Sequence, residues 1–258
     1  MRRIFAISIF ALLLAFAGHC QESVDQVIDL GEISTHYVVD GPADGPVAIM
    51  LHGNGGSYKS MAAPMRVMTD AGYRVYALDS RGQGHNAPLC EYHYADMAND
   101  VRVFIEKMQI SEPVVLGFSD GGIVAIELAM MHPHSVKAIA TCGANVRPDG
   151  IVPSVFADFK KRVSDARKAG EKVPALTQMM LDEPMLTDEQ LKAVCVPALI
   201  MAGEHDLISY EHTLHIHRAI AGSSMLFLGG EDHGSYVKSG KAAHHFLAFL
   251  RSYTPPQK

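Results

Sequence analysis

The strongest constraint on this chain is a rhythm of short apolar runs separated by longer stretches with helical spacing. Five runs carry it, Pro46 to Leu51, Tyr73 to Leu78, Pro113 to Leu116, Val136 to Thr141 and Val196 to Met201, and a sixth follows at Ser224 to Leu228. A strand buried on both faces reads as a continuous hydrophobic run, and parallel strands are joined by helices. The rhythm predicts an α/β fold: a mostly parallel twisted sheet with helices on both faces. Gln26 to Asp40 alternates and is more polar, which suits an antiparallel pair at the sheet edge, with Thr35 to Val39 as its best part. Between the runs, Met97, Val101, Phe104, Ile105 and Met108 recur at helical spacing, so Tyr94 to Met108 should lie on the sheet as an amphipathic helix.

At 258 residues there is room for one large domain of this kind. The rhythm is broken once, from about Arg147 to Leu191, where helical patterns occur with no strand between them. This reads as a small helical cap, in which Phe156, Phe159 and Val163 share a face, Gly170 offers a stop and Thr187 with Gln190 forms a capping box. Residues 21–258 are thus expected to be one domain carrying a cap. The first 20 residues differ: Arg2 and Arg3 precede an apolar run from Ile4 to Phe16, interrupted only by Ser8, with the small residues Ala15, Ala17 and Gly18 at its end. That is a secretory signal pattern, too short for a spanning helix, so export is expected and stable membrane insertion is not. Cys20 adds the alternative of a lipid anchor, although His19 stands where such a signal wants a small residue.

The formal charge of -6, without a basic stripe, argues against a nucleic-acid partner. Cys90, Cys142 and Cys195 show no ligand spacing, and His215 and His217 would point apart on a helix that also carries His212, so no metal is expected.

The sharpest local signal is Gly117-Phe118-Ser119-Asp120-Gly121-Gly122, between the run ending at Leu116 and a helical run from Ile123 to Met131. A strand that turns this tightly into a helix needs neighbours without bulk, and it pushes the hydroxyl of Ser119 out above the sheet. A glycine-rich turn is the plain alternative. A serine hydroxyl is a weak nucleophile until a base lies within hydrogen-bond reach and an acid orients that base. His233, in Glu231-Asp232-His233-Gly234, follows the last run, and Asp206, in Gly203-Glu204-His205-Asp206, follows the one before it. Glu204 and Asp232 are rivals for the acid, but Asp206 lies beyond the C-terminal end of a parallel strand, where functional groups gather.

Upstream, His52-Gly53-Asn54-Gly55-Gly56 leaves a glycine-rich loop after the first parallel strand. It fits neither the dinucleotide nor the P-loop phosphate pattern. The backbone N–H groups of Asn54 and Asp120 are the candidates for an oxyanion hole.

Five motifs stand in order: His52-Gly53, Asp79-Ser80-Arg81-Gly82-Gln83-Gly84-His85, the turn at Ser119, Gly203-Glu204-His205-Asp206 and Asp232-His233-Gly234. Together they resemble the α/β-hydrolase superfamily from about His36 to Phe249, and look like its small-capped esterases, enol-lactonases and cofactor-free perhydrolases. In that family the Asp79 to His85 segment is a turn whose glycines serve backbone shape. The family often continues with serine where Asn86 stands here.

The resemblance implies a serine hydrolase without cofactor, acting on a small ester or lactone. Epoxide hydrolases and dehalogenases of this type carry aspartate where this chain has Ser119. A carbon-carbon bond hydrolase or a perhydrolase could use the same three residues, and a catalytically dead binding protein could keep the fold. Phe156, Met179, Met180 and Met185 suggest an apolar pocket under the cap, or plain core packing.

Overall fold

The computed structural model describes residues 24–253. The expected export signal, residues 1–20 with Cys20, lies outside them. Strand β1 (Val24–Asp29) forms an antiparallel hairpin with β2 (Ser34–Asp40) at the sheet edge. There follow β3 (Val47–Leu51), α1 (Ala62–Asp70), β4 (Arg74–Leu78), α2 (Tyr94–Lys107), β5 (Val114–Phe118), α3 (Asp120–Met131) and β6 (Ala138–Cys142). After α4 (Pro153–Ala169), α5 (Ala175–Asp182) and α6 (Asp188–Leu191) come β7 (Ala198–His205), α7 (Tyr210–Ala219), β8 (Ser224–Asp232), α8 (Ser235–Lys238) and α9 (Lys241–Ser252). The sheet order is β1-β2-β4-β3-β5-β6-β7-β8, and every pairing from β4 to β8 is parallel.

The two-residue period of a strand explains why the central runs are apolar throughout. Ile49 and Leu51 of β3 face α2 and α3, while Ala48 and Met50 face α1, α8 and α9. Each face therefore has its own core. Helix α3 is buried almost all round, from Asp120 to Ala129, because α2 and α6 cover the side that the sheet does not. Helix α9 instead shows a narrow stripe, Ala242, Ala243, Phe246 and Leu247, and exposes His244.

Two strands run further than their apolar residues suggest. Beyond Gly203 and Leu228, β7 and β8 continue as a polar two-stranded ribbon with a register irregularity between Gly203 and His205, and His205 pairs with Asp232. The ribbon lies in solvent, so backbone pairing and not hydrophobicity sustains it. It carries Asp206 and His233 out together at one end of the sheet.

Helices α4 to α6 fill the interval between β6 and β7. Helix α4 ends at Gly170 in the left-handed conformation (φ 69°), and Thr187 and Gln190 make the reciprocal capping box at α6. Among the described residues no helix is long and apolar enough to cross a membrane.

Candidate active site

The turn between β5 and α3 is held in an unusual backbone state. Ser119 sits at φ 52°, ψ -117°, a conformation that costs a residue with a side chain about 1–3 kcal/mol and persists only where its surroundings enforce it. The Ser119 N–H donates to the Cys142 carbonyl at 2.8 Å, and the Ser119 carbonyl accepts from Gly122 and Ile123 at 2.8 and 3.1 Å. The flanking glycines are required by space: a Cβ on Gly117 would lie 2.0 Å from the Gly121 carbonyl oxygen, and one on Gly121 would lie 2.3 Å from that of Leu51. The hydroxyl is thereby presented above the C-terminal edge of the sheet.

Two loops from the β7–β8 ribbon converge on it. His233 Nε2 lies 3.0 Å from Ser119 Oγ, and His233 Nδ1 lies 2.5 Å from Asp206 Oδ1. The Asp206 side chain is fully buried and accepts from the Gly203 and Ile208 amides at 3.0 and 3.1 Å and from the Tyr236 hydroxyl at 3.3 Å. Burial alone would raise its pKa, but the bonds from His233 and the two amides outweigh burial and hold the carboxyl below its ordinary range. Asp206 is therefore an ionised, hydrogen-bonded partner for the imidazole at neutral pH.

The rival carboxylates have other partners. Glu204 accepts from the Gly230 amide at 2.7 Å, and Asp232 accepts from the Gly234 and Ser235 amides at 2.9 and 2.8 Å, closing the turn into α8. The His233 ring rests against Phe118, with ring centroids 5.0 Å apart, and on the backbone of Gly143. A Cβ on Gly143 would meet Nδ1 at 2.7 Å.

Opposite the imidazole lies the His52 to Gly56 loop. His52 Nε2 accepts from the Ser80 amide at 2.9 Å, so its proton is on Nδ1, which donates to the Gly53 carbonyl at 2.7 Å. Burial lowers the His52 pKa and favours that neutral ring. Gly53 passes so near the nucleophile turn that a Cβ would stand 3.1 Å from that of Ser119. Among the described residues the backbone N–H groups of Asn54 and Asp120 donate to no protein acceptor.

The side chain of Asp120 was not singled out by the sequence reading, which used only its amide. It is buried, accepts from Asn54 Nδ2 at 2.8 Å and from the Tyr94 hydroxyl at 3.0 Å, and so ties the two loops together. Burial pushes its pKa up to about 6 despite those two bonds. A carboxylate at the start of a helix whose other residues, apart from Glu127, are apolar or glycine was the available signal.

Above Ser119 opens a cleft of about 380 Å³, floored by Phe118 and walled by Val155, Phe159, Met180, Leu207 and Ile208. A cavity of that size suits a small organic molecule. The four residues expected to form an apolar pocket divide: Met180 lines the cleft, but Phe156 lies in the groove between α4 and α5, Met179 is core, and Met185 is 65% exposed. Phe159 faces the cleft instead of sharing the α4–α5 groove with Phe156 and Val163, because α4 presents different faces to the cleft and to α5.

The remaining histidines on α7 do not converge. His212 is buried and its Nε2 accepts from the Val146 amide at 3.0 Å, with burial pushing its pKa down to about 4. His215 pairs with Asp188 at 3.0 Å and His217 with Ser223 at 2.9 Å. Cys90, Cys142 and Cys195 are free thiols.

The chain is similar to several known proteins. The protein RutD of Variovorax paradoxus, named a putative carbamate hydrolase, is 33% identical over 116 residues, which is 44% of this chain and 44% of that protein. The chain thus spans less than half the length of that relative. The AB hydrolase superfamily protein YisY of Bacillus subtilis is 26% identical over 239 residues, 78% of this chain and 89% of that one. In three dimensions the enol-lactonase of Burkholderia xenovorans superposes with a TM-score of 0.72 at 21% identity, covering 88% of this chain and all of the other. The family model for the alpha/beta hydrolase fold matches residues 46–182, more than half of the chain, and the protein belongs to that family.

Proposed function

We propose that the protein is a serine hydrolase that cleaves a small ester or lactone through an acyl-enzyme. One observation carries the reading: the unbroken line from Ser119 Oγ through His233 to the buried Asp206, with spans of 3.0 and 2.5 Å. In this mechanism Ser119 attacks the carbonyl carbon while His233 Nε2 takes the hydroxyl proton. Asp206 keeps the other ring proton on Nδ1 and stabilises the imidazolium as it forms. The carbonyl oxygen becomes negative and is held by the N–H groups of Asn54 and Asp120, aided by the positive end of α3. The leaving alcohol takes the proton from His233. Water then attacks the acyl-enzyme with the same base, regenerating Ser119. No cofactor enters these steps.

Substrate enters beneath α4 and α5, which act as a cap. The apolar walls and modest volume favour a small acyl or alcohol group over a polymer. Several relatives are named epoxide hydrolases, but the residue at the turn here is serine, which favours acyl transfer. We also read residues 1–20 as an export signal, from sequence alone; the mass of the mature chain recovered from an exporting host tests it.

The function is tested by turnover of esters of graded acyl length, with lactones, diketones and a peroxide acceptor in the same panel. Ester or lactone turnover lost in Ser119→Ala supports the reading. Turnover of diketones alone would assign carbon-carbon hydrolysis instead, and no turnover of any member would favour a binding protein.

A further inference from the structure

Away from the cleft, β2 and the turn after β4 bring His36, Asp79 and His85 together. One donor atom from each lies within 4.8 Å of the other two. His36 Nδ1 is 3.1 Å and His85 Nδ1 is 2.7 Å from the same oxygen, Asp79 Oδ2. We propose that these three side chains form a binding site for a divalent transition-metal ion of the zinc type.

Three features support it beyond proximity. First, His36 is 8% exposed, and its Nδ1 is a buried polar atom without a hydrogen-bond partner although it faces Asp79. The opposite nitrogen, Nε2, contacts the Asp25 carboxylate, which fixes the ring proton on that side. Nδ1 then presents a lone pair to a carboxylate oxygen, and a cation between them relieves the opposition. A carboxylate on the far nitrogen is also how metal-bound histidines are commonly oriented.

Second, Asp79 is fully buried and its carboxylate is held in place: the amides of Tyr58 and His85 donate to it at 2.7 and 2.8 Å, and the His85 ring nitrogen Nδ1 lies 2.7 Å from its Oδ2. Third, the frame is rigid. The His36 amide donates to Asn86 Oδ1 at 2.8 Å and the Asp79 amide to the His36 carbonyl at 2.9 Å, so the strand and the turn cannot drift apart.

Two nitrogens and one carboxylate oxygen suit zinc, which binds such donors at about 2.0–2.2 Å and tolerates an open fourth position. The open side is toward solvent, where the His85 side chain is 44% exposed. Asp79 also braces the active-site loop through Tyr58, while Gln83 of the same turn accepts from the Gly55 amide at 2.7 Å. The ion would stiffen that support without touching the cleft.

The test is calorimetric titration of the chelator-stripped protein with zinc chloride, alone and as His85→Ala and Asp25→Asn, with the melting temperature followed in parallel. Both altered residues are exposed enough to change without emptying the core. The wild type is expected to bind one equivalent and to melt higher with zinc. His85→Ala should lose that transition, and Asp25→Asn should bind about 10- to 100-fold more weakly. No zinc binding by the wild type, or wild-type affinity in either variant, overturns the assignment. Neither readout depends on turnover, so this result and that of the ester panel are independent.

Discussion

Adding one methyl group at Gly143 separates backbone strain from damage to the proposed relay. Gly143 lies at φ 62° beneath His233, and a Cβ there would stand 2.7 Å from Nδ1 and 3.0 Å from Asp206 Oδ1, inside the 3.4 Å at which ordinary contact begins. Neither neighbour is free to swing aside, because the two are joined by a 2.5 Å bond. Alanine therefore has two consequences. The left-handed backbone costs about 1–2 kcal/mol, or roughly 2–8 °C of melting temperature for a chain of this length. The clash displaces the imidazole by a large part of an ångström, and a misplacement of about 1 Å costs on the order of 100-fold in rate. Gly222 is the control: it has φ 73° and nothing within 4 Å of its added Cβ. Gly222→Ala should lose a similar increment of stability and keep its kcat, whereas Gly143→Ala should lose about 100-fold in kcat with KM little changed. The assay is kcat and KM on a nitrophenyl ester, with melting temperature measured alongside. If Gly143→Ala turns over as fast as Gly222→Ala, the reasoning from ring placement is wrong.

Asp206→Asn should reduce kcat by roughly 10⁴-fold, since the amide leaves the imidazole in the wrong tautomer; steady-state kinetics showing less than about a tenfold loss would contradict that role. Phe159→Ala enlarges the wall of the cleft and should shift preference toward longer acyl esters by about tenfold, read as a ratio of kcat/KM values. Burial raises Asp120 to about 6, and burial followed by Glu183 raises Glu127 to about 7. Both carboxyls ionise near pH 4 when unfolded. Between pH 4 and 7 the folded chain therefore binds more protons, so their contribution to stability falls as pH rises through 6 and 7 and is level above that. In urea titrations from pH 4.5 to 8, the stability difference between wild type and Glu127→Gln should change with pH across that window. A constant difference would refute the shift at Glu127.

The turn at Ser119 was legible because its constraints are local: glycines at 117 and 121 are forced by backbone atoms within a few residues or on the adjacent strand. Asp206 and His233 were legible by position, each just beyond a strand. What the sequence hid depends on surroundings supplied by distant segments. The β7–β8 ribbon is polar and held by backbone pairing, so no apolar run marks it. Met179, Met180 and Met185 are alike in sequence, yet one is core, one lines the cleft and one faces solvent. The Asp120 carboxyl acquires its role only because Asn54 and Tyr94 arrive from two other elements. The His36–Asp79–His85 group is assembled across β2 and β4, and no spacing rule along the chain would join its members.

The central claim is that Ser119 is a nucleophile activated by His233, and covalent capture tests it most directly. Incubation with an excess of an alkyl fluorophosphonate, followed by peptide mass analysis, should place a single adduct on Ser119, and the rate of labelling should collapse in His233→Ala. Continued ester turnover by a protein that carries no adduct at Ser119, or labelling that proceeds as fast in His233→Ala, would contradict the account.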